Sequence, residues 1–282
     1  MIMPELPEVE TVKNDLKNIV IGKTISKVTV NYEPIIRNMK PSEFSEALVG
    51  ESFIDIRRKG KYLLFLLNDL ILVSHLRMEG KYLLKGEEEV QKHEHIIFYF
   101  TDGTSLRYND VRKFGTMNLF KTTDINLVLE SEPLKRVGFD PFEEQLKAET
   151  IYQKFQKISK PIKSTLLDQT IISGLGNIYV DEICFMSRIH PLTSTKNLTM
   201  EEVSALLDNA RTVLTKAINL GGTTIRSFSS HEISGRFQNE LLIHTKKVCP
   251  VCQQKVQKIR VGGRGTYLCS NCQKLLDKYT EK

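Results

Sequence analysis

Long apolar runs are absent from this sequence of 282 residues. No segment approaches the ~20 consecutive apolar residues of a transmembrane helix, so we expect no membrane span and no membrane partner. The acidic start lacks the apolar core of a secretory signal, which favours a cytoplasmic location. Cysteine is also scarce. Of five cysteines only Cys184 stands outside two close pairs, and it suits a buried apolar position.

The excess of positive over negative charge lies near the end of the chain. The formal net charge is +6, and residues 246–282 contain nine Lys or Arg against two Asp or Glu. A basic C-terminal module is the usual electrostatic pattern of a phosphate-binding surface. A solvated basic tail is the alternative that charge alone leaves open. The chain is long enough for two domains, each with its own core.

The stretch Pro4–Glu10 predicts the start of an amphipathic helix. Pro7 suits the first helical position, because its missing N–H is one that a helix leaves unpaired there. Glu8 and Glu10 fall in the first turn, where the helix dipole favours negative charge. Gly22 fits the end of the helix. The apolar residues at helical spacing are Val9, Val12, Leu16 and Ile19.

Pro4 also has a chemical interpretation. If translation starts at Met3 and this methionine is removed, the ring nitrogen of Pro4 becomes a free secondary amine. Such an amine titrates near pH ~8, so part of it is nucleophilic in the cell. Attack on a sugar C1′ would give a cationic iminium, with Glu5 as the carboxylate for proton transfer. We expect Met1 and Ile2 to lie upstream of the mature start, since retaining them would turn the Pro4 nitrogen into an amide.

Short strand-forming runs follow this helix. The candidates are Thr24–Tyr32, Ser52–Arg57, Tyr62–Leu67, Leu70–His75, Tyr82–Leu84, His95–Phe100, Thr104–Tyr108 and Thr116–Phe120. Asp102-Gly103 between two of these runs is a hairpin signal. Many short strands behind a single helix predict a β-sandwich or flattened barrel of about 130 residues.

Helical patterns return after an acidic, loop-like stretch at residues 121–150. They lie at Ala148–Ile158, Ile162–Ile171 and Met200–Asn219. Gly174 and Gly176 mark a tight turn into a helix N-terminus, where backbone N–H groups can bind an anion, although most glycine pairs form plain turns. Residues 223–240 have the polar composition of a surface loop.

The most specific motif is a double pair of cysteines: Cys249, Cys252, Cys269 and Cys272. Two Cys-x2-Cys pairs separated by 16 residues predict a tetrahedral zinc site. Four sulfur ligands leave no position for water, so the expected Zn2+ is structural. Disulfides are the alternative, although a cytoplasmic protein argues against them. Between the pairs, Gly262-Gly263 predicts a hairpin turn with Arg264 at its tip.

Taken together, these motifs resemble the bacterial formamidopyrimidine-DNA glycosylase family (Fpg or MutM). The resemblance is carried by Pro4–Thr11, by Ser173–Glu182 and by the cysteine pairs, and it extends from Pro4 to Gln273. It implies an α+β fold with an N-terminal helix plus β-sandwich domain, followed by a C-terminal helical helix–two-turn–helix domain with a zinc-finger β-hairpin.

The expected domain limits follow from the same resemblance. They are a catalytic β-sandwich domain at 1–130, a linker at 131–147, a helix–two-turn–helix domain with a base-capping loop at 148–240, and a zinc finger at 241–282.

The resemblance also implies a function. The protein would be a bifunctional DNA glycosylase (an N-glycosyl hydrolase) and DNA-(apurinic or apyrimidinic site) lyase of base excision repair. It would act as a monomer on damaged double-stranded DNA, remove 8-oxoguanine and formamidopyrimidines, and cleave the strand by β,δ-elimination. Pro4 would form the iminium and Glu5 would handle protons. Lys61 and Arg264 would assist the eliminations, although charge alone makes Lys61 part of an ordinary basic loop.

Several residues of this chain match DNA-binding positions of the family. Met78, Arg112 and Phe114 would fill the space left by an extruded base, since apolar wedges between base steps are known to kink DNA. Without the resemblance, Met78 is ordinary core filler and Phe114 a buried aromatic at a strand start.

Three further residues match positions that contact DNA. His93 would touch the DNA, and Asn177 and Lys163 would hold a phosphate, which supplies affinity without reading a base. The family often has another lysine four positions before Lys163, but Ser159 stands there in this chain. His93 and His95 also have the spacing of metal ligands, but no companion ligand is evident.

Two other classes stay open. One is a sister glycosylase for oxidised pyrimidines, resembling endonuclease VIII, which usually has glycine at the position of Leu6. The other is a non-enzymatic zinc-ribbon module that binds DNA, RNA or a protein partner and has no need for a free Pro4.

Overall fold

The first half of the chain contains a leading helix and eight strands. A computed structural model describes residues 4–223 and 235–275. The elements of the first half are α1 (Leu6–Val20), β1 (Ile25–Val30), α2 (Pro41–Leu48), β2 (Phe53–Lys59), β3 (Tyr62–Leu67), β4 (Ile71–His75), β5 (Lys81–Lys85), β6 (Glu94–Phe100), β7 (Ser105–Asn109), β8 (Thr116–Phe120) and α3 (Ile125–Leu129). They belong to one compact unit, Met1–Lys135 with Gly221–Gly235.

The eight strands form two antiparallel sheets of four, with orders β1-β6-β7-β5 and β2-β3-β4-β8. The sheets pack face to face around phenylalanine rings. Phe53 of β2 lies edge-on to Phe65 of its own sheet and to Phe98 and Phe100 of the other, with ring centroids 5.7, 6.4 and 6.0 Å away. The apolar side of α1, including Val9 and Leu16, joins the same core. This is the predicted β-sandwich with its N-terminal helix.

Arg107 of β7 is a charged side chain that lies inside this unit and is 2% exposed. Its Nη1 donates to Glu94 Oε2 at 2.9 Å, and Lys85 Nζ lies 2.6 Å from the other oxygen of Glu94. The remaining donors of Arg107 bond Ser105 Oγ and the backbone carbonyls of Gly86, Glu88 and Glu89. Arg107 therefore pins the acidic turn that leads to His93.

The rest of the chain forms a helical unit, Arg136–Leu220 with Arg236–Lys282. Its elements are α4 (Ala148–Phe155), α5 (Ile162–Leu166), α6 (Asn177–Met186), α7 (Met200–Asn219), β9 (Gln257–Val261) and β10 (Arg264–Leu268). Helix α6 is buried on nearly all sides, which explains its apolar sequence. Thr199 and Glu202 start α7 with a reciprocal capping box.

The structure confirms the predicted α+β fold class and corrects several local expectations. Helices α2 and α3 were not predicted, because each is short and depends largely on burial (Phe44 and Leu48 in α2, Val128 in α3), to which α3 adds an N-cap at Asp124. Helix α5 ends at Leu166 instead of Ile171, where Asp168 binds the backbone N–H of Thr170 in a turn. The predicted loop 223–240 lies largely outside the described residues.

The sequence predicts that no helix of this protein spans a membrane. In the described part of the chain, no helix combines the length and the apolar content that crossing a bilayer requires.

Removing the buried guanidinium gives a stability prediction. We expect Arg107→Met to lower the free energy of unfolding by about 3 kcal/mol, because Glu94 keeps Lys85 but loses its buried partner and three carbonyls lose donors. The measurement is the urea midpoint of the sandwich unit, followed by tyrosine fluorescence.

Arg57→Met is the matched control, since Arg57 is half exposed and its contact with Asp55 spans 3.4 Å. This change is expected to stay within about 0.5 kcal/mol of the parent. Equal losses in the two variants would show that the buried network does not stabilise the sandwich.

Candidate active site and nucleic-acid interface

Pro4 and Glu5 lie directly before α1, and both are buried. Glu5 is the N-cap of the helix, and its backbone N–H donates to Glu8 Oε2 at 2.9 Å. Helix α1 begins at Leu6, so Pro7 is its second residue and not, as the sequence predicted, its first. The predicted nucleophile and proton-transfer group thus stand at a helix N-terminus, where the dipole favours a carboxylate.

Glu8 is a functional-site candidate that the sequence analysis treated only as a helix-start residue. It is fully buried, and its Oε1 accepts both the N–H and the hydroxyl of Thr223 at 2.9 Å. A Cβ on Gly222 would lie 2.7 Å from the same oxygen, so only glycine fits this approach. Glu8 therefore joins the Pro4–Glu5 turn to the residues that precede 224–234. The Glu-x-x-Glu spacing of a capping box was the available signal.

Lys61 sits in the tight turn between β2 and β3 and is 6% exposed. Arg58 steadies this turn, because its Nη1 donates to Gly60 O at 3.0 Å and its Nε to Glu10 Oε2 at 2.7 Å. The turn is thereby tied to α1.

His75, at the end of β4, is buried. Burial, together with the charges of Arg77 and Lys61, lowers the pKa of His75 to about 3. Its neutral Nδ1 accepts the backbone N–H of Arg77 at 2.9 Å. His75 thus adds no positive charge beside Lys61 at physiological pH.

Met78, Arg112 and Phe114 lie on two loops of the sandwich. Met78 is half-buried, whereas Arg112 is exposed and Phe114 is 50% exposed. The Arg112 guanidinium stacks on the Phe114 ring, 4.7 Å from its centroid. The reading of Phe114 as a buried aromatic is therefore wrong. Each loop also holds a non-glycine residue with left-handed backbone, Arg77 at φ 56° and Lys113 at φ 59°, which is typical of functional loops.

His93 lies one residue before β6 and is half-buried. Its Nδ1 is buried and has no hydrogen-bond partner within the described residues. The neighbouring His95 Nε2 instead bonds Asp110 O at 2.9 Å. His93 thus keeps an unused polar atom on the side of the sandwich that carries the two loops.

In the helical unit, Asn177 and Lys163 converge on one backbone carbonyl. Asn177 Nδ2 donates to Gly265 O at 3.1 Å, and Lys163 Nζ donates to the same oxygen at 3.2 Å. Lys163 is fully buried, and its ammonium lies 2.6 Å from Asp181 Oδ1 because a buried charge needs a partner. The predicted phosphate contact of Lys163 stays a prediction.

Asp181 fixes the hairpin to α6 and Glu182 fixes residues 242–244 to it, two roles that were not predicted from the sequence. Asp181 Oδ2 accepts from His244 Nδ1 at 2.7 Å and from Tyr267 N at 3.1 Å. Glu182 accepts the three backbone N–H groups of Leu242, Ile243 and His244, at 2.7, 3.0 and 2.8 Å. Two carboxylates side by side in an apolar helix were the available signal.

The hairpin turns at Gly262-Gly263, as predicted. Both glycines have positive φ, 54° and 78°, which a type I′ turn requires. A Cβ on Gly262 would lie 2.7 Å from Ser164 Oγ, so the turn rests on α5. Arg264 follows the turn, pairs with Val261 and is exposed. The β9–β10 hairpin, whose turn contacts α5, thus carries the exposed Arg264 guanidinium.

The four cysteines form the predicted metal site. Their sulfur atoms all lie within 4.8 Å of one another, with 3.8 Å between Cys249 and Cys272 and 3.4 Å between Cys252 and Cys269. A disulfide requires about 2.05 Å, so the sulfurs are unbonded. A tetrahedral Zn2+ with Zn–S bonds of 2.3 Å separates its ligands by about 3.8 Å, which this set matches. The group therefore fits one structural zinc that closes the base of the hairpin.

Comparison with protein families gives three matches in order along the chain. Residues 3–117 match the formamidopyrimidine-DNA glycosylase N-terminal domain. Residues 137–229 match the formamidopyrimidine-DNA glycosylase H2TH domain, and residues 246–275 match the zinc finger found in FPG and IleRS. With the fold and the site just described, this defines a DNA glycosylase of the helix–two-turn–helix class.

Curated relatives narrow the class. A Mycoplasma genitalium formamidopyrimidine-DNA glycosylase is 46% identical over 286 residues, which cover 99% of this chain and 99% of the relative. The Exiguobacterium sibiricum protein of that name is 47% identical over 277 residues, covering 97% and 99%. The chain belongs to the formamidopyrimidine-DNA glycosylase family.

Solved structures agree with this assignment. Wild-type Lactococcus lactis Fpg (MutM) in complex with N7-benzyl-Fapy-dG DNA gives a TM-score of 0.88 at 40% identity, covering 96% of this chain and 100% of that chain. A complex of Lactococcus lactis Fpg with DNA containing an abasic site gives 0.88 at 39%, covering 96% and 99%.

The cysteine geometry generates a prediction about metal content. We expect Cys249→Ser to lose the zinc, because three thiolates no longer close the tetrahedron. The measurement is zinc released per chain in a chromophoric chelator assay, together with affinity for duplex DNA, which is expected to fall with the hairpin.

Cys184→Ala is the control for replacing a cysteine, since Cys184 is buried outside the cluster. This variant is expected to retain its zinc. Full zinc content in Cys249→Ser would place the metal elsewhere.

Proposed function

We propose that this protein is a bifunctional DNA glycosylase and AP lyase that removes oxidised purines from duplex DNA. The observation that carries the proposal is the buried Pro4-Glu5 pair at the start of α1, in a chain whose relatives are named formamidopyrimidine-DNA glycosylases. The substrates would be 8-oxoguanine and formamidopyrimidines, in line with the Fapy-dG DNA bound by the Lactococcus lactis enzyme.

The first step is attack by Pro4. With Met3 removed, the secondary amine of Pro4 adds to C1′ of the damaged nucleotide while the N-glycosidic bond breaks and its electron pair leaves with the base. Glu5 takes the proton that the Pro4 nitrogen gives up and passes it to the departing base. It then delivers a proton taken up from water to O4′ as the C1′–O4′ bond opens and the C1′=N bond forms. The product is a cationic iminium that links enzyme and sugar.

Strand cleavage follows from that iminium. Its positive charge acidifies the proton on C2′, so loss of this proton expels the 3′-phosphate by β-elimination. A second proton loss, from C4′, expels the 5′-phosphate by δ-elimination. We propose that Lys61 and Arg264 assist these steps, since both cations suit departing phosphates.

DNA binding in this proposal uses the two sandwich loops and the helical unit. Met78, Arg112 and Phe114 replace the extruded base, whose flipping costs a few kcal/mol and costs less at a damaged pair. His93, which is half-buried, would contact DNA as well.

Phosphate contacts come from the helical unit. Asn177 would hold a phosphate near the target nucleotide, together with Lys163 on the preceding helix. Lys157 or Lys160 would be the nearby cation that compensates for Ser159.

We further propose that the protein works as a monomer in the cytoplasm. We also propose that its first domain ends at about residue 130, its linker at about residue 147 and its helix–two-turn–helix domain at about residue 240. The structures of Lactococcus lactis Fpg support the one-chain arrangement on damaged DNA.

The decisive experiment is borohydride trapping on a duplex with one 8-oxoguanine opposite cytosine. Reduction converts the iminium into a stable amine, and mass spectrometry of the N-terminal peptide is expected to locate the adduct on Pro4. Pro4→Gly is expected to reduce strand cleavage by roughly 100-fold or more while DNA binding persists.

Pro7→Ala is the matched control, because Pro7 lies in the same turn but its nitrogen is already an amide. Cleavage by this variant should remain close to that of the parent. Binding without any adduct would favour a non-enzymatic zinc-ribbon module, whereas faster excision of oxidised pyrimidines than of 8-oxoguanine would favour the endonuclease VIII-like alternative.

A further inference from the structure

Two loops, each of which connects one sheet of the sandwich to the other, lie next to each other. The first, Leu76–Gly80, leads from β4 to β5, and the second, Asp110–Gly115, leads from β7 to β8. Strand β4 pairs with β8, and β5 pairs with β7. The first loop therefore begins on β4, beside the strand β8 on which the second loop ends. It ends on β5, beside the strand β7 on which the second loop begins. They carry Met78 on one side and Arg112 with Phe114 on the other.

The hydroxyl of Tyr108 lies between the two loops. A Cβ built on Gly80 would lie 2.2 Å from Tyr108 Oη, and a Cβ on Gly115 would lie 1.6 Å from it. These glycines are the last residues of the first and the second loop. A single buried oxygen thus occupies the space beside both loop ends, and neither glycine can carry a side chain without displacing it.

Asp110 gives the second loop its shape. Its Oδ1 accepts the backbone N–H of Arg112 at 3.0 Å, and its Oδ2 accepts those of Phe114 and Gly115 at 2.8 Å. Tyr108 Oη approaches the same Oδ2 at 3.5 Å. Asp110 is fully buried, so these donors are what stabilise its charge.

The Tyr108 ring has little freedom to move. It is fully buried and lies edge-on to Tyr82, with ring centroids 5.2 Å apart. Burial and the charge of Asp110 raise the pKa of Tyr108 well above its usual range, so the hydroxyl keeps its proton. The oxygen is therefore a fixed wedge between the loops.

We propose that Tyr108 is a positioning residue that couples these loops, so that Met78 enters the DNA stack only together with Arg112 and Phe114. The inference rests on the proposed glycosylase function, which places these three residues in the vacated space. Tyr108 itself touches neither the DNA nor the sugar. Its removal loosens each loop end and slows the step in which the damaged base is extruded.

The test is Tyr108→Phe, which keeps the ring and removes only the oxygen. Single-turnover excision of 8-oxoguanine from a duplex is expected to slow by roughly 5- to 10-fold, the size expected for one buried hydroxyl contact. Cleavage at a preformed abasic site in single-stranded DNA is expected to stay within about twofold of the parent, since no base has to be replaced there. The fluorescence of a 2-aminopurine placed beside the lesion should change more slowly, because the loops enter the DNA stack more slowly.

Tyr82→Phe is the matched control. Tyr82 is also fully buried, and its hydroxyl donates to Ser74 Oγ of β4 at 2.7 Å. Losing this bond disturbs the core at least as much, yet excision is expected to stay within about twofold of the parent.

Three outcomes would overturn the coupling: unchanged excision in Tyr108→Phe, an equal loss of both reactions, or an equal loss in both tyrosine variants. Failure of the parent enzyme to excise 8-oxoguanine would instead overturn the proposed function, so the two failures are distinguishable.

Discussion

A buried carboxylate must be surrounded by donors, because an uncompensated charge in the interior is strongly destabilising. Three segments of the candidate site depend on this constraint. Glu8, Asp110 and Asp181 are each 1% exposed or less, and each accepts hydrogen bonds from backbone N–H groups outside regular helix or strand pairing. Glu8 and Asp110 therefore fix irregular stretches of chain that secondary structure alone leaves undefined, and Asp181 fixes strand β10 to α6.

The groups proposed to act on DNA lie on or next to the segments that these carboxylates fix. Pro4 precedes a helix, Phe114 sits on a loop and Arg264 follows a hairpin turn. Each would be mobile on an isolated peptide, and ordering it during DNA binding would reduce affinity. The buried carboxylates and the four-cysteine site complete this ordering when the chain folds. Binding free energy is then left for base extrusion and for the chemistry.

Local pattern was sufficient for much of the fold. All eight strands were predicted within a few residues, because period-two runs bounded by turn residues are a local signal, and the Cys-x2-Cys pairs identified the metal ligands for the same reason. Helices α2 and α3 escaped prediction, since each is short and depends largely on tertiary burial. The ion pair of Lys163 with Asp181 also escaped prediction, whereas the phosphate contact of Lys163 stays a prediction. A partner 18 residues away has no local signal.

Residue types at short, fixed spacings were enough to predict the strand pattern, the zinc ligands, the glycine turn before Arg264 and the family. The partners of the buried groups, in contrast, depend on how the chain packs in three dimensions. Packing brings Glu8 to Thr223, Arg107 to Glu94, and one tyrosine oxygen to two loop glycines 35 residues apart in sequence. A buried charge takes the donors and acceptors that are nearest in space, and the packing of helices and strands sets those distances.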